Sequence, residues 1–418
     1  MTKKRTVKKY TLLFIMLMLF ITRVFSLDIA RNFHAGIAQL MQFYDSKIAL
    51  WQDSNCIKSG SCKGHGFWYW ANTERIIADY QLLTGESTNE QAMYQTMQRN
   101  REDIINVAYF DDEGWWALAF VAAYRATHNI DYLYTAEDIV NDITQRGAQH
   151  VCGNGGVYWS AKKTQVGSIA NELYIRINAN LYMITHDKRY KRNANAAWDW
   201  FKNSGLISSD FIVADHYSVK DGKCGEMIKW HFTYTNGVLL GVLADLAQIN
   251  HDPKLMNQAK EVARRSMYDY SLGGVLTEPC TNVSACADDA FMFKGIFVHE
   301  LAYLALAAND GNFINDVRDY LRNNYSKLVA NQGESGLYAF SWSLPVDFNS
   351  DSILYNPSDV VTQLSALYLM DANLMMGDNR FAKLPPLPAG SYVKRVINEI
   401  YVPRPQKVHP LKIHSKIE

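Results

Sequence analysis

From residue 34 onward the apolar positions recur at three- and four-residue intervals, the spacing that lays one side of an α-helix against a core. The pattern predicts helices at roughly 34–50, 68–84, 89–107, 112–128, 131–148, 167–185, 188–204, 231–249, 253–269, 288–308, 311–329 and 358–376. Breakers and caps separate many of them, among them Thr84-Gly85-Glu86, Asp111-Asp112 and Asp310-Gly311. Short alternating stretches such as Gly156-Val157-Tyr158-Trp159 are too brief for a sheet. Twelve helices predict an all-α domain of six helical hairpins closed into a ring, because closure lets every helix bury an apolar face. A two-layer solenoid competes, but the blocks share no repeating consensus. The longest non-helical stretches are 51–67, 205–229, 270–287 and 330–357, and in a ring they gather at its ends and shape a cleft.

The two ends of the chain break this pattern. Residues 1–26 begin MTKKRTVKKY, continue with the apolar run Thr11 to Ile21, and close on Val24-Phe25-Ser26. A basic start, a short apolar middle and a compact cleavage site form a secretory signal. Thr22-Arg23 cut the run short of the ~20 apolar residues of a membrane span, so an uncleaved anchor is the alternative. No later stretch reads as long and apolar enough to span a bilayer. The mature protein is therefore expected to be soluble, and secreted, periplasmic or otherwise extracellular. The segment from Phe381 to Glu418 holds six of the ten prolines and reads as an extended tail. The expected layout is a signal at 1–26, one domain over 27–380 and a basic, Pro-rich tail at 381–418.

Charge follows the same division. The whole chain carries 42 basic and 42 acidic residues, but 1–26 holds six basic and none acidic, and 381–418 holds seven against two. The domain between them is left with 29 against 40, a net of −11. An acidic body suits a neutral partner and argues against nucleic acid or an anionic glycan. Six cysteines (56, 62, 152, 224, 280 and 286) agree with export. Two pairs six residues apart, 56/62 and 280/286, invite local bridges, which leaves 152 with 224. Other connectivities and free buried thiols stay open. Zinc is not expected, because no two-residue Cys spacing occurs. No phosphate loop, dinucleotide fingerprint or metal motif stands out, so no cofactor and no metal are expected.

The most informative segment is Tyr109-Phe110-Asp111-Asp112-Glu113-Gly114-Trp115-Trp116. Three acids at a helix start suit N-terminal capping and the helix dipole. Capping does not explain why a Gly and two Trp follow at once. Adjacent helical side chains diverge by ~100°, so Trp115 and Trp116 should not both face a core. Carboxylates beside an open aromatic face are also what a sugar site needs, since rings stack on the sugar and acids act at the glycosidic bond. Both readings stand on the residues alone. Trp70, Tyr158, Trp159 and Tyr234 divide between core packing and sugar stacking, and Asp288-Asp289 between capping and hydroxyl binding. His216, His231 and His299 read as structural groups. Asn282-Val283-Ser284 and Asn324-Tyr325-Ser326 fit the N-glycosylation pattern.

The acidic segment resembles the signature of glycoside hydrolase family 76, the endo-α-1,6-mannanases and their fungal cell-wall relatives. Further stretches are similar in the family's order: Trp68-Tyr69-Trp70 with Asp79-Tyr80 and Thr84-Gly85; Cys152 to Ser160; Ile169-Ala170-Asn171-Glu172-Leu173; and Asp289 to Phe297. Two positions depart from it. The family usually has Tyr-Asn-Gln-Gly where this chain has Tyr234-Thr235-Asn236-Gly237, and an Arg where it has His299. Both departures would fall close to the cleft of a barrel. The resemblance implies an (α/α)6 barrel, in agreement with the helix count. It implies retaining hydrolysis of α-1,6-mannan with Asp111 as nucleophile and Asp112 as general acid/base. Retention uses carboxyls about 5–5.5 Å apart, which neighbouring residues at a helix start can meet. Trp70, Trp115, Trp116, Trp159, Tyr234 and Asp289 are the expected substrate contacts. The expected partner is a mannose-containing polysaccharide and the expected state a monomer, with a membrane involved only if the signal stays uncleaved. A mannan transglycosylase using the same pair, or a glycan-binding barrel without activity, are the alternatives. The end Lys412-Ile413-His414-Ser415-Lys416-Ile417-Glu418 disfavours a lipid-anchored version.

Overall fold

The computed structural model describes residues 27–52 and 67–377, apart from 154, 284, 285, 287, 288, 348, 351, 353 and 356–359. The proposed signal, the proposed tail, Cys56, Cys62, Asp288 and the first glycosylation pattern lie wholly or partly outside the described residues. The described helices are α1 (27–40), α2 (Phe67–Thr84), α3 (Glu90–Ile105), α4 (Phe110–Thr127), α5 (Ile130–Asp142), α6 (Ser168–Thr185), α7 (Lys188–Asn203), α8 (Thr233–Asn250), α9 (Pro253–Asp269), α10 (Ala290–Ala308), α11 (Gly311–Ala330) and α12 (Val361–Met375).

The even-numbered helices pack side by side in a closed cycle, α2–α4–α6–α8–α10–α12 and back to α2, with the others outside. This is the (α/α)6 barrel. The sequence of each helix decides its layer. Outer helices such as α7 and α9 carry one apolar stripe and a polar outer face, while α4, α8 and α10 are buried nearly all round. Helix α10 is long and apolar enough to cross a membrane by length and composition, contrary to the expectation for the chain beyond its start. Its apolarity has another cause: 89% of its 18-residue apolar stretch is buried inside the barrel.

Links from inner to outer helices are short and built alike. His128, His186, His251 and Asn309 each end an inner helix in the left-handed conformation (φ 49° to 57°). The next residue, Asn129, Asp187, Asp252 or Asp310, then caps the outer helix by accepting from a first-turn N–H. Links from outer to inner helices emerge at the end where the inner helices begin, and all but 106–109 are long. They carry strands that the sequence pattern does not predict. These are β1 (Tyr44–Asp45) with β2 (Leu50–Trp51), β3 (Ala148–Val151) with β4 (Gly155–Val157), the antiparallel set β5 (Gln165–Gly167), β6 (His216–Lys220) and β7 (Lys223–Ile228), and β8 (Ser271–Leu272) with β9 (Val275–Leu276). Each is two to six residues long, too short for an alternating signal. The first helix is described from 27 and gives way at 41–51 to a 3-10 turn and the β1–β2 hairpin, so the expected 34–50 helix lies further toward the N-terminus.

Two disulfides, Cys152–Cys224 and Cys280–Cys286, are present as anticipated. The first joins the β3–β4 loop to β7. Asn324 is fully buried, donates to Tyr320 O (2.9 Å) and accepts from Leu276 N (2.8 Å), so this glycosylation pattern is closed to an enzyme in the folded chain.

Inside the barrel, below the site, runs a buried ion network. Arg75 pairs with Glu300 (3.1 Å), and Arg176 pairs with Glu300 and with Asp245 (Nε–Oδ2 2.8 Å). Gly241 lets Arg176 cross α8, since a Cβ there would collide with its guanidinium. Arg75 Nη2 lies 3.1 Å from His299 Nδ1, and His299 Nε2 lies 3.2 Å from Asp79 and 3.5 Å from Asp371. Because a guanidinium only donates, the imidazole proton sits on Nε2, facing the two aspartates. Asp79, His299 and Asp371 bring ligand atoms within 4.8 Å of one another. With Arg75 against the ring, this cluster belongs to the ion network. His299 is therefore a structural group, and it lies in the lumen and not beside the cleft.

Candidate active site

The long links and the first turns of the inner helices together form a recess at one end of the barrel. At its floor is the N-terminus of α4. Its N-cap is Tyr109, which makes no side-chain capping bond, so Asp111 and Asp112 sit inside the first turn and do not cap it. The segment around Trp159 clamps this turn: Phe110 N donates to Trp159 O (2.9 Å) and Ala161 N to Ala108 O (2.8 Å). Trp159 packs on Tyr109 (4.7 Å between centroids), and its Nε1 donates to Asp111 Oδ2 at 2.8 Å. The other Asp111 oxygen, Oδ1, is buried with no hydrogen-bond partner.

The three acids of the signature have two roles. Glu113 is fully buried on the outer side of α4 and pairs with Arg146, which also holds Asp142 and donates to Ile105 O. It is part of the scaffold. Asp111 and Asp112 stay partly open to the recess, yet protein surrounds them. Burial pushes the Asp111 carboxyl up to about 7, against the lowering effect of the Trp159 bond and neighbouring backbone N–H groups. Asp112 is held well above the ordinary carboxylate range by burial first, then by the charges of Asp111 and Asp289. Such a pair holds a shared proton near neutral pH, and the Trp159 bond favours ionisation at Asp111.

An aromatic bed lies beside the pair. Tyr234 stacks on Phe293 (3.9 Å, 17°), Phe293 meets Trp68 (6.0 Å), and Trp68 meets Trp115 (6.0 Å). Asp289 Oδ1 accepts from Trp68 Nε1 and Tyr69 OH, each at 3.1 Å. Burial raises the Tyr234 hydroxyl well above its ordinary value, and the charges of Asp215, Asp111, Glu172 and Asp289 add to the rise. Asp215 bonds His216 Nδ1 at 2.8 Å, and its carbonyl accepts from Ser168 N at the start of α6. Glu172 is fully buried and neither carboxyl oxygen has a hydrogen-bond partner, which raises its pKa strongly.

The structure thus brings Asp111, Asp112, Trp159, Tyr234 and Asp289 together. It does not open Trp115 and Trp116, which are 3% and 0% exposed. The expectation that one of them must line the cleft fails because an inner helix is covered on every side. Gly114 assists: Leu173 of α6 comes within 2.8 Å of where its Cβ would be. Trp70 also misses the recess. It lies ~200° round α2 from Trp68 and donates to Trp51 O (2.5 Å), anchoring the β1–β2 hairpin. Trp68, two positions earlier, faces the other way and donates to Asp289. Asn236 of the departing motif is buried, accepting from Val213 N (3.1 Å) and Tyr270 OH (2.9 Å) and donating to Phe211 O (2.7 Å). It holds the link before α8 and does not line the cleft. Asp215 has no local signal, since only the β5–β6 pairing carries it to the site.

A barrel whose acid pair is bedded in aromatic rings is the architecture of a glycan-cleaving enzyme. A family model described as glycosyl hydrolase family 76 matches residues 29–384, and the chain belongs to that family of glycoside hydrolases. A curated relative, the mannan endo-1,6-alpha-mannosidase DFG5 of Saccharomyces cerevisiae, is 22% identical over 291 residues, 64% of this chain. The match spans 60% of that relative's length. Among solved structures, the GH76A α-1,6-mannanase of Salegentibacter sp. HEL1_6 is similar with a TM-score of 0.72 and 22% identity, over 84% of this chain and 99% of that one. An inactive variant of that enzyme, with two consecutive aspartates changed to asparagine, is described in complex with α-1,6-mannotriose (TM-score 0.72, 21% identity, 84% and 99% coverage). Dfg5 of Chaetomium thermophilum, in complex with glucosamine, gives a TM-score of 0.70 at 20% identity, over 83% and 90%.

Proposed function

We propose that this chain is an exported endo-acting glycoside hydrolase that cleaves α-1,6-mannosidic bonds with retention, through Asp111 and Asp112. The observation that carries the assignment is the 2.8 Å bond from Trp159 Nε1 to Asp111, which singles out one member of the buried pair for ionisation. Asp111, ionised, attacks the anomeric carbon while Asp112, protonated, gives its proton to the departing glycosidic oxygen. Asp112 then takes a proton from water, which hydrolyses the glycosyl–enzyme bond at Asp111. Tyr234 and Trp159 offer partly open rings to the sugar, and Asp289 accepts from its hydroxyls. Trp68 and Tyr69 hold Asp289, while Trp115, Trp116 and Trp70 brace the elements that carry the site.

The choice of α-1,6-mannan is supported by the α-1,6-mannanases among the similar structures and by the acidic body, which suits a neutral glycan. Export is supported by the two disulfides and the signal-like start. The test is to incubate the protein with α-1,6-mannan and follow oligosaccharide release, alongside Asp111→Asn and Asp112→Asn. Shortened products from the wild type alone are expected. Products longer than the substrate at high acceptor concentration would indicate transfer in place of hydrolysis, and binding with no product would overturn the enzymatic reading.

A further inference from the structure

Five large hydrophobic side chains are strongly exposed among the described residues, and three of them lie on the segments next to the start of α8 and the end of α9. Trp230, 66% exposed, lies three residues before α8. Tyr268 and Leu272, 80% and 74% exposed, flank Tyr270 at the end of α9. Tyr270 itself is buried, and the ring of His231, next to Trp230, lies 6.4 Å from it. All of these stand at the barrel end that holds the acid pair. Trp230 is four residues from Tyr234, so the two Cα atoms are at most ~15 Å apart, a span of a few sugar rings.

We propose that Trp230 is a stacking platform for a sugar unit of the polysaccharide, away from the bond that is cut. The inference rests on the glycan-cleaving reading above and extends it to a binding site no other observation assigns. Leaving an indole in water forgoes a large apolar gain, and a pyranose supplies a matching partner through the apolar C–H face of its ring. The exposed Lys229 and His231 on either side place polar tips where the hydroxyl rim of such a ring would lie, a mixed surface ill suited to an apolar protein contact. The four-residue separation from Tyr234 points to the same chain that occupies the acid pair. A platform of this kind favours long substrates over short ones.

The test uses the full chain carrying Asp111→Asn with Asp112→Asn, so that nothing is cut, in native gels containing α-1,6-mannan. Covering roughly 60 Å² of indole face at ~25 cal/mol per Å² predicts a loss of affinity of about tenfold on adding Trp230→Ala. Trp230→Tyr, which keeps a ring, should recover most of it. In the active protein, Trp230→Ala should lower the ratio of kcat/KM on long mannan to that on mannotriose by about tenfold. Equal retardation with and without Trp230, or an unchanged ratio, would overturn the platform and leave the proposed function standing. A parent protein that mannan does not retard would overturn the function itself, and the platform with it. Loss of self-association in the variant in place of mannan binding would assign the surface to a second copy and also overturn it.

Discussion

Trp159→Phe isolates the bond that separates the two aspartates. Phenylalanine keeps an aromatic ring against Tyr109 and leaves the backbone bonds of the segment, Phe110 N to Trp159 O and Trp159 N to Gln165 O, both 2.9 Å, untouched. It removes only the N–H that reaches Asp111 Oδ2. A hydrogen bond to a charged group contributes about 1.5–3 kcal/mol. At ~1.36 kcal/mol per unit, its loss raises the Asp111 pKa by roughly 1–2 units. The bond favours the ionised form, so the shift is upward from about 7. If Asp111 must be ionised to attack, the acidic limb of the kcat/KM profile on manno-oligosaccharides moves up by the same amount. Below the limb the variant loses roughly 10–100-fold, and well above it the two proteins converge. An unmoved limb with a uniform loss at every pH would refute the reasoning and reduce Trp159 to a substrate contact.

Further predictions rest on burial and connectivity. Asp111 is held above its unfolded pKa, so its contribution to stability is present below about pH 4 and is lost as pH rises toward 7. Asp111→Asn should therefore raise the melting temperature at pH 7–8, by roughly 2–4 kcal/mol of stability, with the gap closing toward pH 4 in calorimetry. Arg146→Ala leaves Glu113 buried without its cation and should cost about 3–5 kcal/mol in denaturant titrations, and replacing both partners, Arg146→Met with Glu113→Leu, should recover part of the loss. The Cys152–Cys224 bridge closes a separation of 72 residues. Removing it with paired Cys→Ala changes should cost about 4 kcal/mol by loop-closure entropy, read as a lower melting temperature under non-reducing conditions.

The helical layers are legible in the sequence because each helix is long: outer ones such as α7 and α9 are strongly periodic, and inner ones such as α8 and α10 read as long apolar stretches bounded by caps. The links are less so. Strands such as Gly155–Val157 are too short to alternate visibly, and their pairing with Ala148–Val151 depends on contacts across a turn. At the site, Asp111 and Asp112 stand out by composition, but which acid of the three is structural depends on Arg146, 33 residues from Glu113. The tryptophans mislead in a consistent way. A rule about diverging neighbours assumes that one side of the helix faces water, and α4 has no such side. Trp68 and Trp70 are hard to tell apart for the opposite reason, since two positions on a helix point to opposite walls and the sequence does not say which wall holds the cleft. Asp215 reaches the recess only through sheet pairing, which leaves no mark in its own segment.

The central claim is that Asp111 and Asp112 cut an α-1,6-mannosidic bond with retention. Proton NMR of an α-1,6-manno-oligosaccharide, recorded within the first minutes of digestion, tests it most directly. The account predicts that the new reducing end appears first as the α-anomer with the wild type, and that Asp111→Asn and Asp112→Asn produce no new reducing end. A β-anomer appearing first, or release that persists in either variant, would contradict it.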